Sequence, residues 1–264
     1  VAGDVPAVAT IFNLRLPYTL KQGNIEGVLK ITMSVDVQKD RLIYSVRGWG
    51  ADLESWHLEH GELMGDTDEP SVWSDLETFK DKIYGALSIE RLMVDSGYRT
   101  QFVYDFCRKH KHWALPTKGR LSVDGTPLKK SALDVTKSGK KKSFGLSVWH
   151  INTDYFKKWL HERFDRDPEL AGGWHLAQDT TDEFCKSMVS EARLVKPSGR
   201  VSWQVINRNN HYFDCEVGNV AAAYSLNMHN VTSESVKLQQ QQQQNSSTPE
   251  KQVSGVDPFK TKKQ

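Results

Sequence analysis

Apolar and polar residues alternate strictly along 31–38 (ITMSVDVQ), which puts Ile31, Met33, Val35 and Val37 on one face of an extended segment. Lys39-Asp40 interrupts the run, and 41–50 (RLIYSVRGWG) and 55–65 (SWHLEHGELMG) continue with strand character. Three such segments in quick succession predict an antiparallel meander. The period then changes. Val72, Leu76, Phe79, Ile83 and Leu87 recur at helical spacing behind Ser71 as a cap, so 71–87 is expected to be a helix. Residues 91–97 (RLMVDSG) are a short apolar run stopped by Asp-Ser-Gly, as expected of a buried strand. The pattern continues with a helix over 99–110, a strand over 112–119, and a Lys/Gly/Ser-rich mobile loop or twisted hairpin over 119–145. A strand over 147–153, helices over 154–164 and 180–191, and a hairpin of 192–197 with 200–206 about Ser198-Gly199 follow. A small-residue helix over 211–228 ends the series.

A meander joined to βα units predicts an α/β domain with a mixed β-sheet and helices on both faces. That domain is expected to occupy residues 30–230. Residues 1–29 hold Pro6, Pro17 and three glycines with no sustained period, and read as an interdomain linker or arm. Residues 231–264 hold six consecutive glutamines, a Ser/Thr/Pro cluster and one aromatic residue. They offer too little apolar surface to offset their ordering entropy, so a disordered Gln-rich tail is expected.

Composition narrows the class. A chain of 264 residues, 38% of them apolar, can remove roughly three quarters of its unfolded surface from water without disulfide staples. Three cysteines with no CxxC argue against a secreted disulfide scaffold and a zinc knuckle. No apolar run is long enough to span a membrane, and 1–13 lacks the charge-then-apolar order of a signal peptide. A reducing cytoplasm is the expected setting, and the missing initial Met points to a piece of a longer chain. The overall charge of +2 hides an asymmetry. Residues 52–90 carry eleven Asp/Glu against two Lys, whereas 108–142 carry eleven Lys/Arg against two Asp. The basic block is a candidate polyanion surface, with Lys118, Arg120, Lys140, Lys141 and Lys142 as its phosphate-contact residues. Trp113 and Trp174 are loop-edge candidates for stacking on bases, although core packing is the ordinary role of a tryptophan.

Three acids stand out by position. Asp36 lies inside the first strand between two valines, where an unpaired charge is costly. Asp95 ends the apolar strand over 91–95, and Asp214 lies in the first turn of the small-residue helix. Each has an ordinary reading: a sheet-edge residue, a turn residue, and an acid favoured by the helix dipole. Together, on adjacent strand ends with a close-lying helix, they form a converging oxygen-only set. Such a set suits Mg²⁺ or Mn²⁺ rather than zinc. Two ions about 3.5–4 Å apart are the usual device for phosphodiester displacement.

The segments SVDVQKDRLIYSVRGWG, ESW, GELMGD, MVDSGYRTQFVYDFCRKH and RNNHYFDCEVGNVAAA resemble the nuclease domain of the large terminase subunits of tailed bacteriophages, in the lambda-like branch. FNLRLPY resembles the segment that joins the ATPase domain to the nuclease in that family. The resemblance spans roughly 8–228 and implies an RNase H-like fold and metal-dependent DNA cleavage during genome packaging. Carried over by motif, Asp36, Asp95 and Asp214 would be both the catalytic residues and the metal ligands. Double-stranded DNA, the terminase ATPase domain, the small terminase subunit and the portal would be the partners, with no membrane, in the host cytoplasm. The chain departs from the family in three respects: it has no GxxxxGK[ST], so it lacks an ATPase motif, His211 stands where an acid is usual, and the polyglutamine tail is not part of the family pattern. Two other readings fit the same residues: another RNase H-like nuclease, such as a junction resolvase or transposase core, or a catalytically inactive module that binds DNA or a partner.

Overall fold

The computed structural model describes residues 5–134, 145–167 and 169–246. Their elements run α1 (Val8–Phe12), β1 (Arg15–Leu16), β2 (Lys30–Val37), β3 (Arg41–Trp49), β4 (Ser55–Met64), α2 (Pro70–Glu77), β5 (Ile83–Tyr84), β6 (Leu87–Asp95), α3 (Thr100–Lys109) and β7 (Ala114–Arg120). β8 (Leu128–Ala132), β9 (Ser147–Asn152), α4 (Thr153–Phe164), β10 (Trp174–Ala177), α5 (Asp182–Ser187), β11 (Glu191–Val195), β12 (Val201–Val205), α6 (His211–Ser225) and α7 (Ser233–Ser246) follow.

The main sheet has the order β1-β10-β4-β3-β2-β6-β7-β9-β8, with β5 paired to β6. β2, β3 and β4 form the antiparallel meander, and β6 and β7 extend it in parallel on the far side of β2. An antiparallel trio with two parallel strands beside its first member is the mixed sheet that the meander-plus-βα pattern predicts. β11 and β12 form the separate hairpin.

Period-two alternation decides which face each side chain serves. Ile31, Met33 and Val35 of β2, Leu42 and Val46 of β3, and Leu92 and Val94 of β6 pack with Val72, Leu76, Val103 and Phe106 of α2 and α3. The intervening residues face α6: Thr32 donates to Asn219, Ser45 donates to Glu216, and Met93 packs on Ala222. α4, α5 and α6 share the core on that second face. Gly218 sets how closely α6 approaches, because a Cβ there would stand 2.8 Å from the Ser34 Cβ.

Several expectations need correction. The helix over 71–87 stops at Glu77, where the Thr78 hydroxyl donates to the Asp75 carbonyl at 2.7 Å. A 3-10 turn follows, and Gly85 (φ +63°) then starts the two-residue turn between β5 and β6. Ile83, counted above as helix core, is 59% exposed. The arm is part of the fold: Ile11, Leu14 and Tyr18 are buried, and β1 pairs with β10. The 180–191 helix covers only Asp182–Ser187. Within 119–145, β8 pairs antiparallel with β9, in keeping with the hairpin alternative rather than the loop, and 135–144 lie outside the described residues. Trp113 and Trp174 are buried and present no stacking surface. The three cysteines are buried free thiols. In the tail, a second unit that begins at Thr232, Ser233–Ser246 is helical where disorder was expected. No helix among the described residues is long and apolar enough to cross a membrane.

Candidate active site

Asp36 and Asp95 come from neighbouring parallel strands. The β2–β6 register ends at Val35 and Val94, so the two acids follow side by side at the C-terminal strand ends. Alternation turns both toward α6, because their neighbours Val35 and Val94 belong to the opposite core. Asp214 stands one helical turn before Gly218, at the point where α6 comes closest to β2. All three line one cleft of about 190 Å³, together with Ser34, Thr117, Gly119, Ile151 and Thr153.

Asp95 and Asp214 hold protons unusually tightly. Asp95 is pushed up to about 6, chiefly by burial and then by the Asp36 charge, against the backbone amides of Gly97 and Ser96 and the nearby Lys118. Asp214 is pushed up to about 7, again by burial first, with Glu191 and Asp36 adding repulsion and Lys157 opposing it. Asp36 Oδ2 accepts from Gln38 Nε2 at 2.9 Å and meets His211 Nδ1 at 2.7 Å. That contact raises the His211 pKa above its ordinary value. Asp214 Oδ2 accepts from Asn210 Nδ2 at 3.1 Å, and Lys157 Nζ stands 3.5 Å from Oδ1. The acids therefore share a cleft without closing on one another: among the described residues, no three His, Cys, Asp or Glu groups form a ready-made metal cage. Asp36 and Asp214 each accept instead from side chains that do not line the cleft.

The basic expectations divide. Lys118 and Arg120 lie on β7, beside Asp95 and the cleft residues Thr117 and Gly119. Lys118, Arg120 and Lys129 together lower the pKa of His150 after burial does, which marks a shared positive surface over β7, β9 and β8. Lys140, Lys141 and Lys142 lie outside the described residues.

Sequence reasoning missed Lys157 and Glu191, which are 8% and 3% exposed and joined at 2.7 Å. One signal was available: α4 buries Phe156, Leu160 and Phe164, and Lys157 and His161 fall on that same stripe. A lysine on the apolar face of a helix needs an anion. His211 was singled out, but for the surroundings of Asp214; its partner is Asp36.

The sequence matches the family described as the terminase large subunit gpA endonuclease domain over residues 12–236. It is 29% identical over 216 residues to the terminase large subunit of Escherichia phage lambda, covering 75% of this chain and 32% of that protein. It is 25% identical over 213 residues to the terminase large subunit of Enterobacteria phage P21, covering 74% of this chain and 32% of that protein. The chain thus spans about a third of the length of the curated relatives it matches. Among solved structures, the large terminase nuclease from thermophilic phage G20c aligns with a TM-score of 0.44 and 12% identity, over 83% of this chain and 97% of that one. With its match running through the strands and the helix that carry Asp36, Asp95 and Asp214, the chain belongs to the family of the gpA terminase large-subunit endonuclease domain.

Proposed function

We propose that this domain is a metal-dependent DNA endonuclease that hydrolyses phosphodiesters, with Asp36, Asp95 and Asp214 as its catalytic metal ligands. The observation that carries the reading is the meeting of these three carboxylates along one cleft in a chain of an endonuclease family. The donor set fits a hard divalent cation: it is oxygen-only, and burial and neighbouring acids raise the proton affinity of Asp95 and Asp214. When bound, two Mg²⁺ or Mn²⁺ ions would supply an activated water and charge stabilisation for the departing 3′ oxygen. His211 Nδ1 contacts Asp36 at 2.7 Å and the buried Lys157 Nζ stands 3.5 Å from Asp214, so both acids would meet the ion already held by side chains of this chain. Lys118 and Arg120 hold the DNA backbone against the Asp95 side of the cleft, where they fix register without reading sequence.

In the full-length protein the domain would cut concatemeric DNA during packaging in the host cytoplasm, with an attached ATPase domain, a small terminase subunit and the portal as partners. Linkage to a motor would supply DNA at high effective concentration, so the isolated chain is expected to cut weakly and with little sequence preference. Plasmid digestion with Mn²⁺, Mg²⁺ and EDTA side by side tests the reading. Cleavage should require the metal and should fall by about a thousandfold or more in Asp36→Asn, on the scale of losing a catalytic group. Cleavage that persists in EDTA, or in a folded Asp36→Asn protein, would overturn it.

A further inference from the structure

Asp214 is gripped on both oxygens, and both grips lead to one buried residue. Lys157 Nζ lies 3.5 Å from Asp214 Oδ1 and 2.7 Å from Glu191 Oε2. Asn210 Nδ2 donates to Asp214 Oδ2 at 3.1 Å and to Glu191 Oε1 at 2.9 Å. The four side chains form a closed ring that joins α4, the base of β11 and the N-terminal end of α6. Glu191 is 3% exposed and does not line the cleft, and both its oxygens are engaged within the ring. It therefore serves as an anchor rather than as a fourth ligand. The Lys157 ammonium is confined by the rings of Phe213 and Trp203, 5.5 and 5.8 Å from its nitrogen. The strand that carries Glu191 is itself fixed to α4, because Arg193 forms a two-bond pair with Asp154, which also accepts from the Trp203 indole.

A lysine with Asp214 as its sole anion would pair with it tightly and compete with a divalent cation for Oδ1. Here the shorter contact is to Glu191, which draws the ammonium away from the cleft. Resting on the nuclease reading above, we propose that Glu191, Lys157 and Asn210 are positioning residues. Glu191 restrains Lys157, Asn210 fixes the carboxylate plane, and Asp214 is left oriented with Oδ1 available to a metal ion. Groups behind a ligand typically change metal affinity or activity by about 10- to 100-fold when removed.

The test uses the full 264-residue chain, Mn²⁺ titration by calorimetry, and kcat and KM on linear duplex DNA. Glu191→Gln keeps the shape but releases Lys157 onto Asp214. Its Mn²⁺ affinity and its kcat should each fall by about tenfold or more, with KM for DNA unchanged. Adding Lys157→Gln to that variant removes the released cation and should restore part of the Mn²⁺ affinity, a recovery that a merely structural role does not produce. Asn210→Ala leaves the ion pair intact and should weaken Mn²⁺ binding on its own, so the proposal stays testable if Glu191→Gln fails to fold. Lys158→Met, at the exposed lysine that pairs with Glu162, should match the unaltered protein. Unchanged Mn²⁺ affinity in folded Glu191→Gln or Asn210→Ala, or a double variant weaker than Glu191→Gln, overturns the inference alone if the unaltered protein binds Mn²⁺ and cuts. Failure of the unaltered protein to bind Mn²⁺ overturns the nuclease reading, and this inference with it.

Discussion

Asp214 and Glu216 stand two residues apart on α6, and their surroundings could hardly differ more. Glu216 is fully buried under the sheet. Its Oε2 accepts from Arg47 Nε at 2.5 Å, and its Oε1 accepts from Ser45 Oγ at 2.5 Å and more weakly from Asn219. Arg47 in turn donates to Ser55 and to the His175 carbonyl, with its guanidinium 4.0 Å from the Trp174 ring centroid. This acid is fully partnered and faces no solvent. Asp214 lines the cleft instead, and its carboxyl is pushed up to about 7 by burial first, with Glu191 and Asp36 adding repulsion that Lys157 only partly offsets. One helix thus carries one carboxylate that holds the fold together and another that burial and neighbouring acids make reluctant to ionise. Glu59 repeats the first pattern on β4, accepting from Tyr44, Tyr84 and Lys82. The difference separates structural acids from functional ones without reference to their residue type or strand position.

The sharpest way to break this comparison is to remove each acid. Glu216→Ala leaves Arg47 buried and unpaired, so it should cost about 3–5 kcal/mol of stability. Asp214→Asn should leave the metal-free protein at least as stable as the unaltered one at pH 7, because it removes a crowded charge. Denaturant unfolding of the two variants checks the pair. Equal losses would mean that the two carboxylates play the same structural role.

Titration should separate the sites next. Asp95 and Asp214, at about 6 and 7, hold protons more tightly in the folded chain than at their ordinary value of 3.8. Between pH 4 and 7 the unfolded chain loses these protons first, so their effect is to lower stability as pH rises through that window. Buried His57 and His60 act in the opposite sense. His60 is lowered to about 4 from 6.5, so its share of stability is lost as pH falls through that range. An Asp95→Asn/Asp214→Asn variant keeps the histidines. Its thermal midpoint should therefore gain on the unaltered protein steadily from pH 5 to pH 7. Parallel curves would contradict the raised acids.

The smallest expected effect is on the basic face. Lys118→Ala and Arg120→Ala should each weaken DNA binding about equally for all sequences, and each should flatten the slope of log affinity against log salt by about one unit. Filter binding across a salt series reads both effects. An unchanged slope removes these side chains from the phosphate contacts.

The part of this site that the sequence made legible followed from periodicity. Alternation through β2 and the short apolar run of β6 were enough to find Asp36 inside one strand and Asp95 at the end of the other, and the small residues of α6 pointed to a close-lying helix. Periodicity also misled. Phe79, Ile83 and Leu87 prolonged a helical pattern past Glu77 although the chain had already turned into β5 and β6. β1 and β10, of two and four residues, are too short to show any period. Their pairing is also what makes the arm part of the fold, a long-range fact that no local window contains. The ring behind Asp214 was illegible for the same reason, because Lys157 and Glu191 meet only after α4 and β11 have packed. The Arg47–Glu216 pair spans 169 positions in the chain.

Asp36, Asp95 and Asp214 are expected to take a divalent cation between them. This is tested most directly by soaking crystals of the full chain in Mn²⁺, at a concentration that supports plasmid cleavage, and recording anomalous diffraction. One or two Mn²⁺ peaks are expected in the cleft, ligated by all three carboxylates, and they should vanish in Asp36→Asn crystals. A cleft without an anomalous peak under those conditions, or Mn²⁺ bound only away from these residues, would contradict it.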